Sequence, residues 1–496
     1  MKEPSAGPKR ELARRAVRGT VAVFAANGAS RLIALGGTLY LMARVGAAEF
    51  GVVAYAAALL AICDAATNWG FAQAAVHRRE RVAETFSTFL MLRLGLLLGA
   101  LAVLGAAAVV LRKEFAARTN LDVLAVLALA TVWDAVSDAQ AARLSRALRF
   151  GRLAVADVAS VAAGMGVAVA LAAWGWGMWA LVANRAVGSL MRLLCLAVLS
   201  TEPPGAGYYP ADARWLLRFS LPLWFGSLAT TWVLNYDDLV VGELWGRVTL
   251  GHYDRAYGLA ILPLAFVTGV LTRVSFPLYA RLQGDRGRLS EAFRIASGAT
   301  LRLAAPISLG LALAIPDVLA VLGWRQWEPI VPILRWLLVY AVARPLMDDA
   351  GGLLTATGQP KVTGYTLLAE AAALLVLCPV LAWHWGAEGA ATSVGLVVLG
   401  GLAAWYGWFL PRVVDIAWWR MLAAPVASLG LAAAAGLAVS RWGGLGAGWA
   451  AGAAKLAAVA VAYAGALLLL DGRGTLGDLR KLWQHGLGSQ TDGAEG

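Results

Sequence analysis

Six arginines stand inside or beside long apolar runs. Arg31, Arg185, Arg302 and Arg344 fall near the middle of such runs, and Arg93 and Arg273 lie closer to one end. A guanidinium stays charged, and its planar fork binds phosphate or carboxylate oxygens through paired hydrogen bonds. Within hydrocarbon an ionisable group is costly and usually functional. Two chemistries fit these residues: recognition of an anionic handle in the membrane interior, or structural ion pairing. The acids nearest mid-run are Asp64, Asp134 and Glu370. They are candidates for counter-ions or for sites of ion coupling. Snorkelling of the long side chains to the interface is the bland alternative. A second polar group, Asp237, Asp238, Asp254 and Arg255, flanks the junction of two apolar runs. It could form an ion-pair latch at an outer gate, or it could be solvated loop charge beside the headgroups.

Nothing in the sequence points to catalysis. His77, His252, His384 and His485 are far apart and lack metal-ligand spacing. There is no phosphate-cradling glycine motif and no recognised nucleophile context. Cys63, Cys195 and Cys378 sit in separate apolar runs and read as structural thiols. We expect no metal and no cofactor beyond H+ or Na+ as a coupling ion.

The elements that position these charges are membrane helices. The chain of 496 residues is 60% hydrophobic and 15% charged, with a mean hydropathy of +0.68. A soluble chain is nearer half apolar and a quarter charged. Apolar windows long enough to span a bilayer recur from Val21 to Leu470. In lipid the backbone must satisfy its own hydrogen bonds, so these windows are helices. The expected fold is all-α and polytopic with about fourteen transmembrane helices. They fall near 21–45, 50–73, 87–111, 121–147, 153–173, 177–199, 215–243, 252–280, 291–314, 329–355, 362–384, 388–410, 418–440 and 447–470. The stretch 315–328 reads as a short re-entrant turn.

Charge gives the orientation. One set of loops and both tails carry about 24 basic residues, against about 7 on the other side. The positive-inside rule makes both termini cytoplasmic, which requires an even number of spans. The net charge of +12 is then topology plus attraction to anionic membrane lipid, and nucleic acid is not an expected partner. Tryptophans at predicted span ends, such as Trp174, Trp176, Trp324, Trp327, Trp383 and Trp385, read as interfacial anchors.

The chain repeats itself. "WGWG" at 174–177 returns as "WHWG" at 383–386, and "MLRLGLLLG" at 91–99 resembles "TLRLAAPISLG" at 300–310. Arg93 thus maps to Arg302 at an offset of 209, and "EFGVVAY" from Glu49 maps to "TLGHYDRAY" from Thr249 at 200. The expected layout is a basic tail (1–20), an N-lobe of six helices (21–199), a linker (200–214), a C-lobe of six helices (215–410), two extra helices (411–470) and a C-terminal tail (471–496). Six is even, so the lobes are parallel repeats about an axis along the membrane normal. Gly51 and Gly251 are expected in tight turns.

The stretch "NYDDLVVGELWGRVTLGHYDRAYGLAILPLAFVTGVLTRVSFPLYARLQGD" at 235–285 resembles the oligosaccharide flippases of bacterial surface-polysaccharide export. "VLGWRQWEPIVPILRWL" (321–337), "LLTATGQPK" (353–361) and, more loosely, 49–79 resemble the same family. The likeness is greatest to exporters of colanic-acid or succinoglycan type, in the superfamily that also holds multidrug extruders. The resemblance implies a multi-pass protein of the bacterial inner membrane with a central cavity between lobes. It implies a substrate, an undecaprenyl-pyrophosphate-linked oligosaccharide, moved to the outer leaflet by alternating access. It implies membrane lipids as partners, with polysaccharide polymerase machinery as a further one, and we expect a monomer. Arg31 and Arg302 are the first candidates for the diphosphate, followed by Arg93, Arg185, Arg273 and Arg344. Two other readings stand beside it. A multidrug or metabolite extruder would favour a dominant acidic site. A membrane polymerase or ligase would carry a large outer loop, and no outer loop here is large.

Overall fold

A helix satisfies every backbone group within one segment, which is what hydrocarbon demands of an apolar run. The structure, a computed structural model, describes residues 26, 28–200, 205, 207–442 and 448–487. For 114, 116, 117, 265–274, 418, 420, 442, 473–476 and 478–487 it describes the backbone alone. Among the described residues there are helices and no strands. In order they are α1 (28–44), α2 (Ala47–Thr67), α3 (Phe71–His77), α4 (Val82–Val110), α5 (Arg112–Arg118), α6 (Leu121–Arg146) and α7 (Phe150–Ala173). Then come α8 (Met178–Leu199), α9 (Pro210–Leu282), α10 (Arg286–Val321), α11 (Ile330–Ala356), α12 (Pro360–Ala404), α13 (Trp418–Trp442) and α14 (Trp449–Leu487).

Apart from 50–73, which runs from α2 across a break at 68–70 into α3, and from 21–25, 27 and 447, which lie outside the described residues, each expected span overlaps one helix or one half of α9 or α12. α9 breaks at Gly246 (φ 76°) and α12 at Trp385 and Gly386. Among the described residues nine helical stretches are long and apolar enough to cross a membrane by length and composition. α6 and α9 are not among them, and both carry acids in mid-run: Asp134 and Asp138, and Asp237 and Asp238. One expectation is corrected. Residues 315–321 continue α10 through Pro316 and do not form a re-entrant turn; a 3-10 turn at Arg325–Trp327 follows. Membrane helices tolerate proline where neighbouring groups can re-satisfy the freed backbone carbonyl.

Two compact units divide at Gly251, Met1–Gly251 and His252–Gly496. Residues 215–251, which the sequence places at the head of the second repeat, group with the first unit. In that unit Phe71, Phe86, Phe89 and Leu216 form one core cluster, and Val52, Leu60, Leu124 and Val182 another. α7 and α8 approach closely through small residues: Ser160 donates a hydrogen bond to the Gly188 carbonyl at 2.8 Å. In the second unit Ala432, Val459, Tyr463 and Leu467 join α13 to α14, with Leu309 and Leu313 of α10 against them. Large apolar side chains such as Val110, Val198 and Leu469 are exposed, as expected where the solvent is lipid.

Repeat-matched glycines carry matched geometry. Gly177 has φ 51° and ψ −125°, and Gly386, 209 residues later, has φ 63° and ψ −145°. That region is open only to glycine. Gly51 and Gly251 are helical, which corrects the tight-turn expectation. A Cβ on Gly51 would lie 1.7 Å from the Arg247 carbonyl oxygen, and one on Gly251 1.8 Å from that of Ala47. Ala47 and Arg247 are also 200 residues apart (247 − 47 = 251 − 51 = 200). Each copy of the junction therefore lays its glycine on the backbone of the other, the reciprocal pattern of a two-fold contact. The glycines are there for close approach, not for turning.

Trp174, Trp176, Trp383 and Trp385 are exposed, as anchors should be. Trp327 is instead fully buried, with His252 edge-on to its ring.

Candidate functional site

The charged side chains are held in pairs. Arg93 on α4 is 1% exposed and forms an ion pair with the Asp64 carboxylate on α2. Its Nη1 also donates to Thr67 Oγ1 at 2.5 Å and to the Asp64 carbonyl at 3.3 Å. Those groups lie in the last turn of α2, where orphan carbonyls and the helix dipole both favour a cation. Arg93 thus caps α2 as well as neutralising Asp64.

α8 and α6 face each other through a two-rung ladder. Arg185 pairs with Asp134 at 2.5 Å, and Arg192 pairs with Asp138 at 3.1 Å and with Asp157 of α7 at 3.2 Å. Arg185 is 61% exposed, the most accessible guanidinium among these pairs. Also in the first unit, Arg118 forms an ion pair with Glu243, which accepts a hydrogen bond from the Tyr55 hydroxyl. Arg31 is exposed on α1.

The second unit is wired differently. Arg302 on α10 is nearly buried and pairs at 2.8 Å with Asp471, where α14 bends. Arg344 on α11 pairs with Asp348 one turn on at 3.0 Å and with Glu370 of α12 at 3.1 Å. Lys455 of α14 meets Asp317 of α10 at 2.6 Å. Asp349 has hydroxyl partners: it accepts from Tyr279 at 2.9 Å and from Ser297 at 2.7 Å.

Three of the candidate arginines therefore meet the three candidate acids: Arg93 with Asp64, Arg185 with Asp134, and Arg344 with Glu370. Arg302 finds an acid that the sequence did not nominate. The side chain of Arg273 lies outside the described residues. Of the gate candidates, Asp254 and Arg255 pair with each other, Nε to Oδ2 at 2.8 Å. Asp237 is fully buried and Asp238 half-buried in the first half of α9.

Sequence reasoning missed Arg192, Asp138, Asp157, Arg118, Glu243 and Asp471. Part of that was readable. Arg185 and Arg192 are seven residues apart and Asp134 and Asp138 four apart, so each pair shares a helix face. No cluster of three or more potential metal ligands occurs among the described residues.

Residues 41–332 match the sequence profile of a family described as "Polysaccharide biosynthesis protein". The lipopolysaccharide biosynthesis protein WzxC of Escherichia coli (strain K12) is 24% identical over 323 residues, 64% of each chain. The succinoglycan biosynthesis transport protein ExoT of Rhizobium meliloti (strain 1021) is 28% identical over 302 residues, 60% of this chain and 61% of that one. The matched region thus spans less than two thirds of both relatives. Among solved structures, the lipid II flippase MurJ in an inward closed conformation superposes with a TM-score of 0.72 at 13% identity, over 92% of this chain and 98% of that one. An inward-facing multidrug resistance transporter of the MATE family gives 0.58 at 16% identity, over 76% and 94%. These two likenesses concern the fold.

Proposed function

The chain belongs to the polysaccharide biosynthesis protein family, and from that premise we propose that it is a flippase for a lipid-linked oligosaccharide. The observation that carries the reading is the family match across 41–332, which contains the whole α6–α8 charge ladder as well as Arg93 and Arg302. The names of WzxC and ExoT, biosynthesis of lipopolysaccharide and transport in succinoglycan biosynthesis, agree with it.

The physical requirement is severe. A diphosphate bearing sugars cannot enter hydrocarbon without cations and hydrogen-bond donors at depth. An arginine already paired with a carboxylate is stable while it waits, and a diphosphate can take the carboxylate's place on the same fork. Exposure ranks the candidates. The side chains of Arg185 and Arg31 are exposed, that of Arg344 is partly so, and Arg93 and Arg302 are enclosed by their partners. In this reading Arg31 and Arg185 of the first unit are the guanidiniums that take the diphosphate, Arg344 of the second unit offers a separate one, and Arg93 and Arg302 hold helices in place. Asp64, Asp134 and Glu370 serve as counter-ions, and exchange of Asp134 or Glu370 between arginine and H+ or Na+ would couple transport to an ion gradient. The protein works as a monomer by alternating access in a bacterial inner membrane. Both termini are cytoplasmic, and a polysaccharide polymerase takes the product on the far side. The extruder reading called for a dominant acidic site, whereas the acids that face these arginines are neutralised.

Proteoliposomes loaded with an undecaprenyl-pyrophosphate-linked oligosaccharide test it. The sugar should become accessible to an external glycosidase only when the protein is present, and faster than in liposomes holding Arg185→Ala. Protein-independent exposure, or transport of organic cations in its place, would overturn the reading.

A further inference from the structure

Asp349 on α11 is buried, 4% exposed, among hydroxyl groups of the second unit. Tyr279, near the end of α9, donates to its Oδ1 at 2.9 Å and lies 3.1 Å from Oδ2. Ser297 of α10 donates to Oδ2 at 2.7 Å, and its oxygen accepts from Tyr406 at 3.4 Å. Tyr406 is buried in a π-helical turn, Trp405–Phe409, that follows α12. Ser275 is buried one turn before Tyr279, on the same face of α9. Phe293 packs against the rings of both tyrosines, with centroids 6.3 and 5.8 Å away.

The charges around this carboxyl do not balance. Arg344, five residues earlier on α11, is engaged by Asp348 at 3.0 Å and by Glu370 of α12 at 3.1 Å. On α10, Arg294 pairs with Glu291 and Arg302 with Asp471. Arg281 of α9 and Lys361 of α12 are exposed. Among the described side chains, Asp348, Asp349 and Glu370 thus share one guanidinium, and Asp349 is the acid that no cation meets. A buried carboxylate without a partner is costly, and uptake of a cation relieves the cost.

The contacts select the cation. Oxygens 2.7–3.1 Å apart have a hydrogen between them and no room for a metal ion. The hydroxyls also suit both forms of the acid. Toward a carboxylate, Tyr279 and Ser297 both donate. Toward a carboxylic acid, Tyr279 still donates, while Ser297 accepts the acid proton and turns its own toward Tyr406. Proton uptake and release leave neither carboxyl oxygen without a partner.

We propose that Asp349 is a proton-binding site, neutral when α9, α10, α11 and the turn after α12 pack as they do here. Release of the proton to water leaves an anion among hydroxyls with no countercharge, and loosens that packing. The site is separate from Asp134 and Glu370, whose partners are arginines, and it does not rest on the identity of the transported substrate.

Infrared titration of the whole protein in dodecyl maltoside, a detergent without carbonyl groups, tests it. The difference spectrum of wild type minus Asp349→Asn should hold a carboxylic-acid C=O band at neutral pH. That band should shift down in D2O and disappear as the pH rises. Asp348→Asn and Glu370→Gln should leave it in place. Tyr279→Phe removes a donor to the carboxylate, so the band should persist to higher pH; this variant carries the test if Asp349→Asn does not accumulate. Thermal stability of the wild type should fall over the pH range in which the band is lost, because the folded state holds a proton that the unfolded chain has already released. Asp349→Asn should lack that fall. A carboxylate at every pH at which the protein is folded, a band that belongs to Asp348 or Glu370, or a band that Na+ removes at constant pH would each overturn the proposal.

Discussion

Arg93 and Arg302 occupy matched places in the two repeats, 209 residues apart, and are held by different means. Arg93 takes its counter-ion from Asp64, inside its own repeat, and at the same time caps the end of α2. The position matched to Asp64 is Leu264 (264 − 64 = 200), which carries no charge. Arg302 turns instead to Asp471 on α14, outside both repeats. At the offsets read from the sequence, the cation recurs and the carboxylate does not. A nearly buried guanidinium without an acid would be an uncompensated charge, and Asp471 of α14 supplies that acid. This gives α14 a structural task in the second unit.

The sharpest way to break the comparison is to remove each acid. Asp64→Ala strands a guanidinium that is 1% exposed; we expect a loss of about 3–5 kcal/mol in unfolding free energy, or failure to accumulate. Unfolding in detergent measures it, and Asp64→Ala combined with Arg93→Met should recover most of the loss. Asp471→Ala should cost less, about 1–3 kcal/mol, because α14 leaves the apolar layer there and polar groups can approach Arg302. Equal costs for the two would erase the distinction.

The junction glycines test where the copies remain equivalent. Gly51→Ala and Gly251→Ala should each destabilise by about 1–3 kcal/mol, since either Cβ would overlap a carbonyl oxygen. The double variant should cost less than the sum, because one separation relieves both contacts. Strict additivity would sink the reciprocal contact.

The smallest effect on stability is expected at the ladder. Arg185 is mostly exposed, so Arg185→Ala should change stability by no more than about 1 kcal/mol. Its effect belongs to transport: oligosaccharide flipping should fall tenfold or more, the loss of about 1.5–3 kcal/mol of charged hydrogen bonding to phosphate. Arg185→Lys should restore only part, since it keeps the charge and loses the fork. Wild-type flipping by Arg185→Ala would move the handle to Arg31 or Arg344.

Much of the helix plan was legible because a bilayer leaves the backbone so little choice. Long apolar runs at Val82–Val110 or Phe150–Ala173 become helices whatever surrounds them. The likeness of "WGWG" to "WHWG" was legible too, and both close on a glycine with a similar positive-φ backbone. The stretch 315–328 misled because Pro316 and Gly323 look like breakers, and a proline inside a packed membrane helix is not one. Trp327 misled because span-end tryptophans are usually anchors, and only packing shows which ring is covered.

The sequence by itself determined that this is a helical membrane protein with arginines and acids within its long apolar runs. Hydropathy and repetition are local properties of the chain, so they can be read without a structure. The tertiary structure alone decided who neutralises whom. Asp471 lies 169 residues from Arg302, and Glu243 reaches back 188 residues to Tyr55. No spacing rule spans such distances, because a counter-ion is chosen by which helices come to lie side by side. The same packing left Arg185 open and enclosed Arg93, and that difference in accessibility separates the arginine proposed to meet a substrate from the one that holds a helix.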